Sequence, residues 1–118
     1  MLANEQKRYA EAERMLRQSL ESLQASLPPG HPDIGITEAN LAEVYRRERN
    51  YEDAEKLYRA GITILEKAWG RDDRRLFPYF QYYAAVLRAR EEFAEAASAD
   101  LRATRIRVVH SLHFSDRD

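Results

Sequence analysis

The sequence predicts an all-α protein whose five helices pack as a stack of antiparallel hairpins. Three observations lead to this fold class. The 118 residues include only 4 glycines and 4 prolines, so few positions interrupt a helix. Apolar residues recur at helical spacing along most of the chain. The sequence also matches itself without a gap after a shift of 42 residues, which gives about two and a half units.

The first helix is predicted near residues 3–26 and the third near residues 51–68, because both show an amphipathic pattern. In the third helix the apolar positions follow the i, i+3, i+4, i+7 rule, with charged residues on the other face. The first helix repeats this pattern one unit earlier. The apolar positions of the third helix are Ala54, Leu57, Tyr58, Gly61, Ile62 and Leu65.

The remaining helices are bounded by breaks that recur with the same period. Residues 28–33 contain three prolines and Gly30, so a long connection precedes a second helix near residues 34–48. His31 in that connection is predicted to be a turn residue that hydrogen-bonds the backbone. Gly70 ends the third helix, and aspartates after it are suited to cap a fourth helix near residues 74–90.

The two helices of one unit are joined by very short links. Arg49-Asn50 joins the second helix to the third, and Glu91-Glu92 joins the fourth to a fifth helix near residues 93–110. Such short links make the joined helices antiparallel neighbours. Asn50 is the residue expected to take the left-handed backbone conformation at its corner.

The aligned residues resemble the tetratricopeptide repeat. Its pattern of L-G-x2-Y followed by A-x3-F is met by Leu41-Ala42-x2-Tyr45 and by Ala54-x3-Tyr58. The 42-residue period is longer than usual and is similar to the repeats of kinesin light chains. The resemblance implies an α-α superhelix and these structural positions: Tyr9, Ala12, Leu41, Ala42, Tyr45, Tyr51, Ala54, Tyr58, Ala84, Phe93 and Ala96.

The repeat also predicts the organisation of the chain as a single domain. A half repeat covers residues 2–27, two repeats cover residues 28–69 and 70–110, and a polar tail covers residues 111–118. The last helix places Asp100 and Arg107 where the family has apolar residues, so this face is expected to be solvated, as the end of a stack requires.

The resemblance implies a non-catalytic module that binds a peptide or a partner helix in a concave groove. In the family the first helix of each unit lines this groove. The amide of Asn40 suits a peptide backbone because it both donates and accepts hydrogen bonds. Arginines there suit acidic side chains or a terminal carboxylate. The expected groove residues are Asn40, Glu43, Arg46, Arg47, Gln81, Tyr82 and Arg88, with Ala39 and Ala85 beside them.

Two alternatives come from the uncovered first half repeat. Two copies of the chain are predicted to shield each other's Leu16, Leu20 and Leu23 stripe in a homodimer, which would be a structural role. The same open end also suggests a fragment of a longer array that regulates an attached domain.

Catalytic and metal-binding groups are not evident in the sequence. The absence of cysteine excludes disulfides and thiolate chemistry, and no cofactor motif is present. Paired acids are interpreted as solvated helix surface, and His110, His113 and Asp116 as a polar tail rather than a metal site. The paired acids are Glu11 with Glu13, Asp53 with Glu55, and Glu91 with Glu92.

The charge balance argues against nucleic acid and membrane partners. Lysine and arginine total 19 against 20 acids, for a net charge of −1. An arginine-rich strip in the second half is interpreted as solvated or ion-paired surface rather than an RNA-binding site. The first ten residues lack a secretory signal, so a cytoplasmic location is expected. The arginines of the strip are Arg71, Arg74, Arg75, Arg88, Arg90, Arg102, Arg105 and Arg107.

Overall fold

The structure is a computed structural model that describes residues 3–115, with only the backbone described for residues 113–115. This part of the chain contains no strand, which confirms the predicted all-α class. The helices, in chain order, are α1 (Ala3–Ser26), α2 (Pro32–Arg47), α3 (Tyr51–Trp69), a 3₁₀ helix (Arg74–Leu76), α4 (Phe77–Ala89) and α5 (Phe93–Ser115).

The helices pack mainly as two hairpins, α2 with α3 and α4 with α5. Within each hairpin, contacts join residues near the end of the first helix to residues in the first turns of the second, such as Glu43 with Tyr58 and Arg88 with Asp100. The helices of each pair are therefore antiparallel, as predicted. α1 packs on α2, and α3 packs on α4, so the elements stack in chain order into a body of 51 × 36 × 25 Å.

α2 begins at Pro32, two residues before the predicted start. The Nδ1 atom of His31 accepts a hydrogen bond of 3.1 Å from the backbone N–H of Asp33, which caps the helix. Pro32 takes the first helical position. A backbone N–H at that position would have no acceptor within the helix, so its absence in proline costs no hydrogen bond. The predicted role of His31 as a turn residue is thus confirmed, but the last proline of the connection belongs to the helix.

The predicted helix over residues 74–90 is divided in two. Asp73 caps the short 3₁₀ helix by accepting a 2.8 Å hydrogen bond from the N–H of Arg75, which confirms the expected capping aspartate. A continuous helix would need an N–H at Pro78 to bond the carbonyl of Arg74, and proline has none. α4 therefore starts afresh at Phe77, with Pro78 in its first turn.

The corners of the two hairpins are equivalent, but the sequence prediction chose the wrong residue. Arg49 and Glu91 adopt positive φ angles of 64° and 61°, whereas Asn50 has φ of −88°. The N–H of Asn50 then bonds the carbonyl of Tyr45 at 2.8 Å. This is the closing bond of a Schellman motif, which requires the left-handed residue one position earlier, at Arg49.

The core lies along the hairpin interfaces and is built on small residues. Ala42, Ala54 and Ala84 are fully buried, and Ala96 is almost so. Gly35 and Gly61 bring the backbones of α2 and α3 into direct contact, since a Cβ atom added at Gly61 would lie 2.7 Å from the carbonyl oxygen of Gly35. Small side chains at these crossings set the spacing between the helices.

The two outer helices differ from expectation. Leu16 and Leu20 of α1 are half-buried against the core instead of forming an open stripe with Leu23, which is also half-buried. Met15 is the α1 residue with a large apolar side chain in solvent, at 64% exposure.

α5 is less polar on its outer side than predicted. Asp100 and Arg107 are exposed, as expected, but so are Leu101, Val108 and Leu112. Phe93, expected to fill a gap between hairpins, is 63% exposed. Its counterpart Tyr51 is half-buried against the core because α3, unlike α5, packs between two other helices.

We expect Gly61→Ala to lower the free energy of unfolding by about 1–3 kcal/mol, because the added methyl group overlaps backbone that has no rotamer to change. Urea denaturation monitored by circular dichroism measures the loss. Gly30→Ala is the matched control, since a Cβ atom there meets nothing within 4 Å. Equal stability of the two variants would contradict the proposed backbone contact.

Candidate functional site

The surface where α2 and α4 lie side by side holds a groove, which we call the α2–α4 groove. It is lined by residues from α2, from the end of α3, and from the 3₁₀ helix and start of α4. α2 and α4 come together because each is the first helix of its hairpin and the hairpins stack in order. The lining residues are Asn40, Trp69, Arg75, Pro78, Tyr79 and Tyr82.

An aromatic and cationic wall forms one side of the groove. The ring of Trp69 lies against Tyr79, with ring centroids 6.4 Å apart and tilted by 41°. The guanidinium of Arg75 lies 4.0 Å from the centroid of the Trp69 ring. Asp73 accepts two hydrogen bonds of 3.0 Å from Arg75 and so holds the guanidinium in place. The hydrogen bonds from Arg75 lower the pKa of Asp73.

The Asn40 side chain is exposed at this groove. Its amide makes no hydrogen bond to any side chain or backbone group that the structure describes. An exposed amide beside aromatic rings presents a donor and an acceptor next to apolar surface. This combination suits a ligand with both backbone amides and apolar side chains.

Glu43 forms the centre of a hydrogen-bonded cluster with Arg46, Arg47 and Tyr58. Its carboxylate accepts bonds of 2.8 and 2.6 Å from Arg46, 2.9 Å from Arg47 and 2.7 Å from the buried Tyr58 hydroxyl. Burial alone would raise the pKa of Glu43, but these hydrogen bonds outweigh it and lower the pKa to about 2. Glu43 thus remains ionised at neutral pH and positions both arginines.

Arg46 also links the two hairpins across the α2–α4 groove. Its guanidinium lies 5.7 Å from the ring centroid of Tyr82, within the range of a cation–π contact. The partner of Arg46 on its own helix, Glu43, orients the guanidinium toward α4. Asn40 and Tyr82 line the α2–α4 groove, and Arg46 contacts its lining residue Tyr82.

The other expected groove residues lie elsewhere or are already engaged. Arg47 lies beside Tyr9 and Glu48 at the α1 end of the stack. Arg88 forms an ion pair of 2.8 Å with Asp100 of α5. Gln81 is exposed but does not line the α2–α4 groove. Ala39, expected beside the groove, is buried against Gly61.

Sequence reasoning missed Trp69, Arg75 and Tyr79 as groove residues. In the sequence, Arg75 is predicted only as part of the arginine-rich strip, and Trp69 and Tyr79 have no predicted role in a groove. The available signal was their position on either side of the Gly70–Asp73 connection, which folds back and brings the end of α3 to the start of α4.

The paired acids do not all lie in solvent, contrary to prediction. Glu55 is only 5% exposed and is held by Arg59 at 3.0 Å and by Arg90 at 3.1 Å. Glu13 accepts a hydrogen bond of 2.9 Å from the Tyr45 hydroxyl, which also contacts the guanidinium of Arg17. These carboxylates join α3 to the end of α4 and α1 to α2.

The arginine-rich strip is largely paired with acids, as predicted. Arg105 bonds Asp72 at 3.1 Å, and Arg102 lies 3.5 Å from Glu66 and 4.6 Å from the Phe80 ring centroid. Arg75, Arg88 and Arg90 pair with the carboxylates already described.

Within the described residues no three histidine or acidic side chains come together as a metal site. The Nε2 atom of His110 lies 2.9 Å from the backbone oxygen of Asp72. The side chains of His113 and Asp116, considered with it in the sequence, lie outside the described residues. None of the described helices combines the length and apolarity needed to cross a membrane.

A sequence model of the tetratricopeptide repeat matches residues 1–67, more than half of the chain. The chain belongs to the tetratricopeptide repeat family. A search of curated proteins finds no match. The family is in general a protein–protein interaction module. The α4–α5 hairpin, beyond the matched range, repeats features of α2–α3 at a shift of 42 residues, including buried alanines Ala42 and Ala84 and left-handed corners Arg49 and Glu91.

We expect the stabilising contribution of Glu43 to disappear in acid. Because its pKa in the folded protein is about 2, below the ordinary value of 4.5, the contribution is complete above pH 4.5 and is lost as the pH falls toward 2. The difference in thermal midpoint between the wild type and Glu43→Gln should therefore be larger at pH 6 than at pH 3. Glu21→Gln, at an exposed α1 position, is the control and should show no such trend. A constant difference for Glu43→Gln would contradict this account.

Proposed function

We propose that this protein is a non-catalytic tetratricopeptide module that captures an extended peptide segment of a partner protein in the α2–α4 groove. The observation that carries the proposal is the position of the Asn40 amide beside the rings of Trp69, Tyr79 and Tyr82. This amide has no hydrogen-bond partner among the described residues. The 42-residue period supports a further assignment to the kinesin-light-chain type of repeat. In this family the first helices of the units line the concave side.

The chemistry of the groove favours recognition of backbone and apolar side chains over recognition of charge. Arg75 is already bound by Asp73, and Arg46 by Glu43, so an acidic ligand would have to compete with an existing ion pair for either guanidinium. The Asn40 amide has no such competitor in the described residues. We therefore expect the backbone amides of a bound peptide to form hydrogen bonds with Asn40. Its apolar side chains pack on the rings of Trp69, Tyr79 and Tyr82.

The groove is also well ordered before a ligand arrives. Trp69 lies between Arg75 and Tyr79, and Tyr82 is in contact with Arg46 from the neighbouring hairpin. Side chains fixed by such contacts lose little conformational entropy on binding, which favours affinity. The two hairpins of the described residues form a short groove, so we expect modest affinity of this chain for a single peptide.

The groove is tested by peptides selected from a random display library on the wild-type protein. Their dissociation constants are measured by fluorescence polarisation. Asn40→Ala combined with Tyr82→Ala should weaken binding at least about tenfold, which corresponds to about 1.4 kcal/mol. Circular dichroism should be unchanged, since both side chains are exposed.

The matched control combines Lys56→Ala with Lys67→Ala, two exposed positions on α3 outside the groove. This variant should bind the selected peptides like the wild type. Selected peptides that bind the Asn40 and Tyr82 variant with unchanged affinity would overturn the proposed site.

Self-association through α1 is a second candidate role, favoured by Met15. This side chain is 64% exposed and lies with Leu23 and Thr37 along a shallow groove between α1 and α2. Pairing of two copies would remove these apolar side chains from water. The expected result is a dimer in light scattering that Met15→Glu converts to a monomer. A monomer at high micromolar concentration of the wild type would rule this role out.

A further inference from the structure

A second groove lies at the other side of the α4–α5 hairpin, between the start of α4 and the last turns of α5. We call it the terminal groove. It shares no lining residue with the α2–α4 groove, although the two flank the beginning of the same helix. Its lining residues are Arg74, Phe77, Ile106, Arg107, His110 and Ser111.

The equivalent place in the preceding hairpin shows what normally covers such a groove. At a shift of 42 residues Arg107 corresponds to Leu65, and Ser111 corresponds to Trp69. Leu65 is fully buried, and Trp69 packs against Tyr79 from the following hairpin. The terminal groove thus has polar residues at two positions where the preceding hairpin has large apolar ones, and Ser111 lacks the ring with which Trp69 contacts the following hairpin.

The terminal groove combines an apolar floor with a cationic rim. The half-buried Phe77 supplies the accessible part of the floor, next to the almost fully buried Ile106, while Arg74 and Arg107 are exposed at its edge. Neither arginine forms an ion pair with any carboxylate that the structure describes. This distinguishes them from the neighbouring Arg75, whose guanidinium is bound by Asp73.

One ring nitrogen of the His110 side chain is engaged by backbone. Its Nε2 atom lies 2.9 Å from the backbone oxygen of Asp72. No acidic side chain lines the groove. A carboxylate of a ligand can therefore pair with Arg74 or Arg107 without displacing any carboxylate of the described residues.

We propose that the terminal groove docks a segment of a partner protein in which a large apolar side chain is flanked by carboxylates. The apolar side chain packs on the half-buried ring of Phe77. The flanking carboxylates accept hydrogen bonds from Arg74 and Arg107, and the planar guanidinium groups allow bidentate pairing. The module then has two chemically different docking surfaces, one for backbone and apolar groups and one for acidic segments.

The probe for this site is a capped hexapeptide with glutamate, leucine, glutamate, phenylalanine, glutamate and leucine in that order. The peptide is titrated into the isotope-labelled protein, and the chemical shifts of the backbone amides are recorded by NMR. Saturable changes are expected at residues 74, 77, 106, 107 and 110. The same peptide with glutamine in place of glutamate should bind about tenfold more weakly, because it lacks the charge that pairs with the arginines.

The decisive variant combines Arg74→Glu with Arg107→Glu, which should reduce affinity for the acidic probe at least about tenfold. The matched control combines Arg8→Glu with Arg14→Glu, exposed arginines of α1 that give the same change in net charge. This control should retain binding within about twofold, as distant surface charge has little effect at physiological salt.

Three results would overturn the proposal. The first is equal affinity for the glutamate and glutamine peptides, and the second is equal weakening by both charge-reversal variants. The third is a set of shift changes confined to the α2–α4 groove around Tyr82. Failure here leaves the α2–α4 groove unaffected, because its own test uses variants of Asn40 and Tyr82.

Discussion

The structure depends on how closely the helix backbones approach within each hairpin. The sequence contains no cysteine, so the fold is held without disulfides. At the crossing of α2 and α3 the contact is between Gly35 and Gly61, and next to it Ala42 and Ala54 are fully buried. Such short separations give many van der Waals contacts per residue. They also fix the position of α2, and with it Asn40 and Glu43.

The joints between successive elements contain polar contacts. Glu13 and Tyr45 join α1 to α2, and Arg59 reaches both Tyr83 of α4 and Glu95 of α5. Arg46 reaches Tyr82 on the exposed side. Polar contacts thus supplement apolar packing between the hairpins, as Glu43 with Tyr58 and Arg88 with Asp100 do within them. The α2–α4 groove lies across one of these joints, so its shape follows the angle between the hairpins.

Local pattern was sufficient to predict most of the fold. The helical periodicity placed five helices within a few residues of their observed limits, apart from the longer α5 and the divided fourth helix. Pro78 divides the predicted fourth helix because it lacks the N–H that would bond the carbonyl of Arg74. The spacing of apolar residues contains no information about that single hydrogen bond. The left-handed corner was assigned to Asn50 because asparagine tolerates that conformation. The hydrogen bond from Asn50 to Tyr45 requires it at Arg49 instead.

The candidate site was less predictable because its members come from distant parts of the chain. The repeat predicts a groove that contains Asn40, Arg46 and Tyr82. The structure places Asn40 and Tyr82 in the lining of the α2–α4 groove and Arg46 in contact with Tyr82. The repeat did not reveal that Arg88 pairs with Asp100, or that Arg75 and Tyr79 enclose Trp69. Those contacts depend on side-chain direction and on the path of the connection after α3. Neither the direction of a side chain nor the path of this connection follows the 42-residue spacing, so the repeat could not predict these contacts.

The carboxylate of Glu55 has a consequence for how the molecule comes apart. It is almost fully buried on α3 and is neutralised by Arg59 and by Arg90 at the end of α4. If the last hairpin detached alone, Arg90 would leave and the carboxylate would lose one of its two counter-charges at a largely dry position. Detachment of the last hairpin alone would therefore break a charge pairing in addition to the apolar contacts between neighbouring repeats.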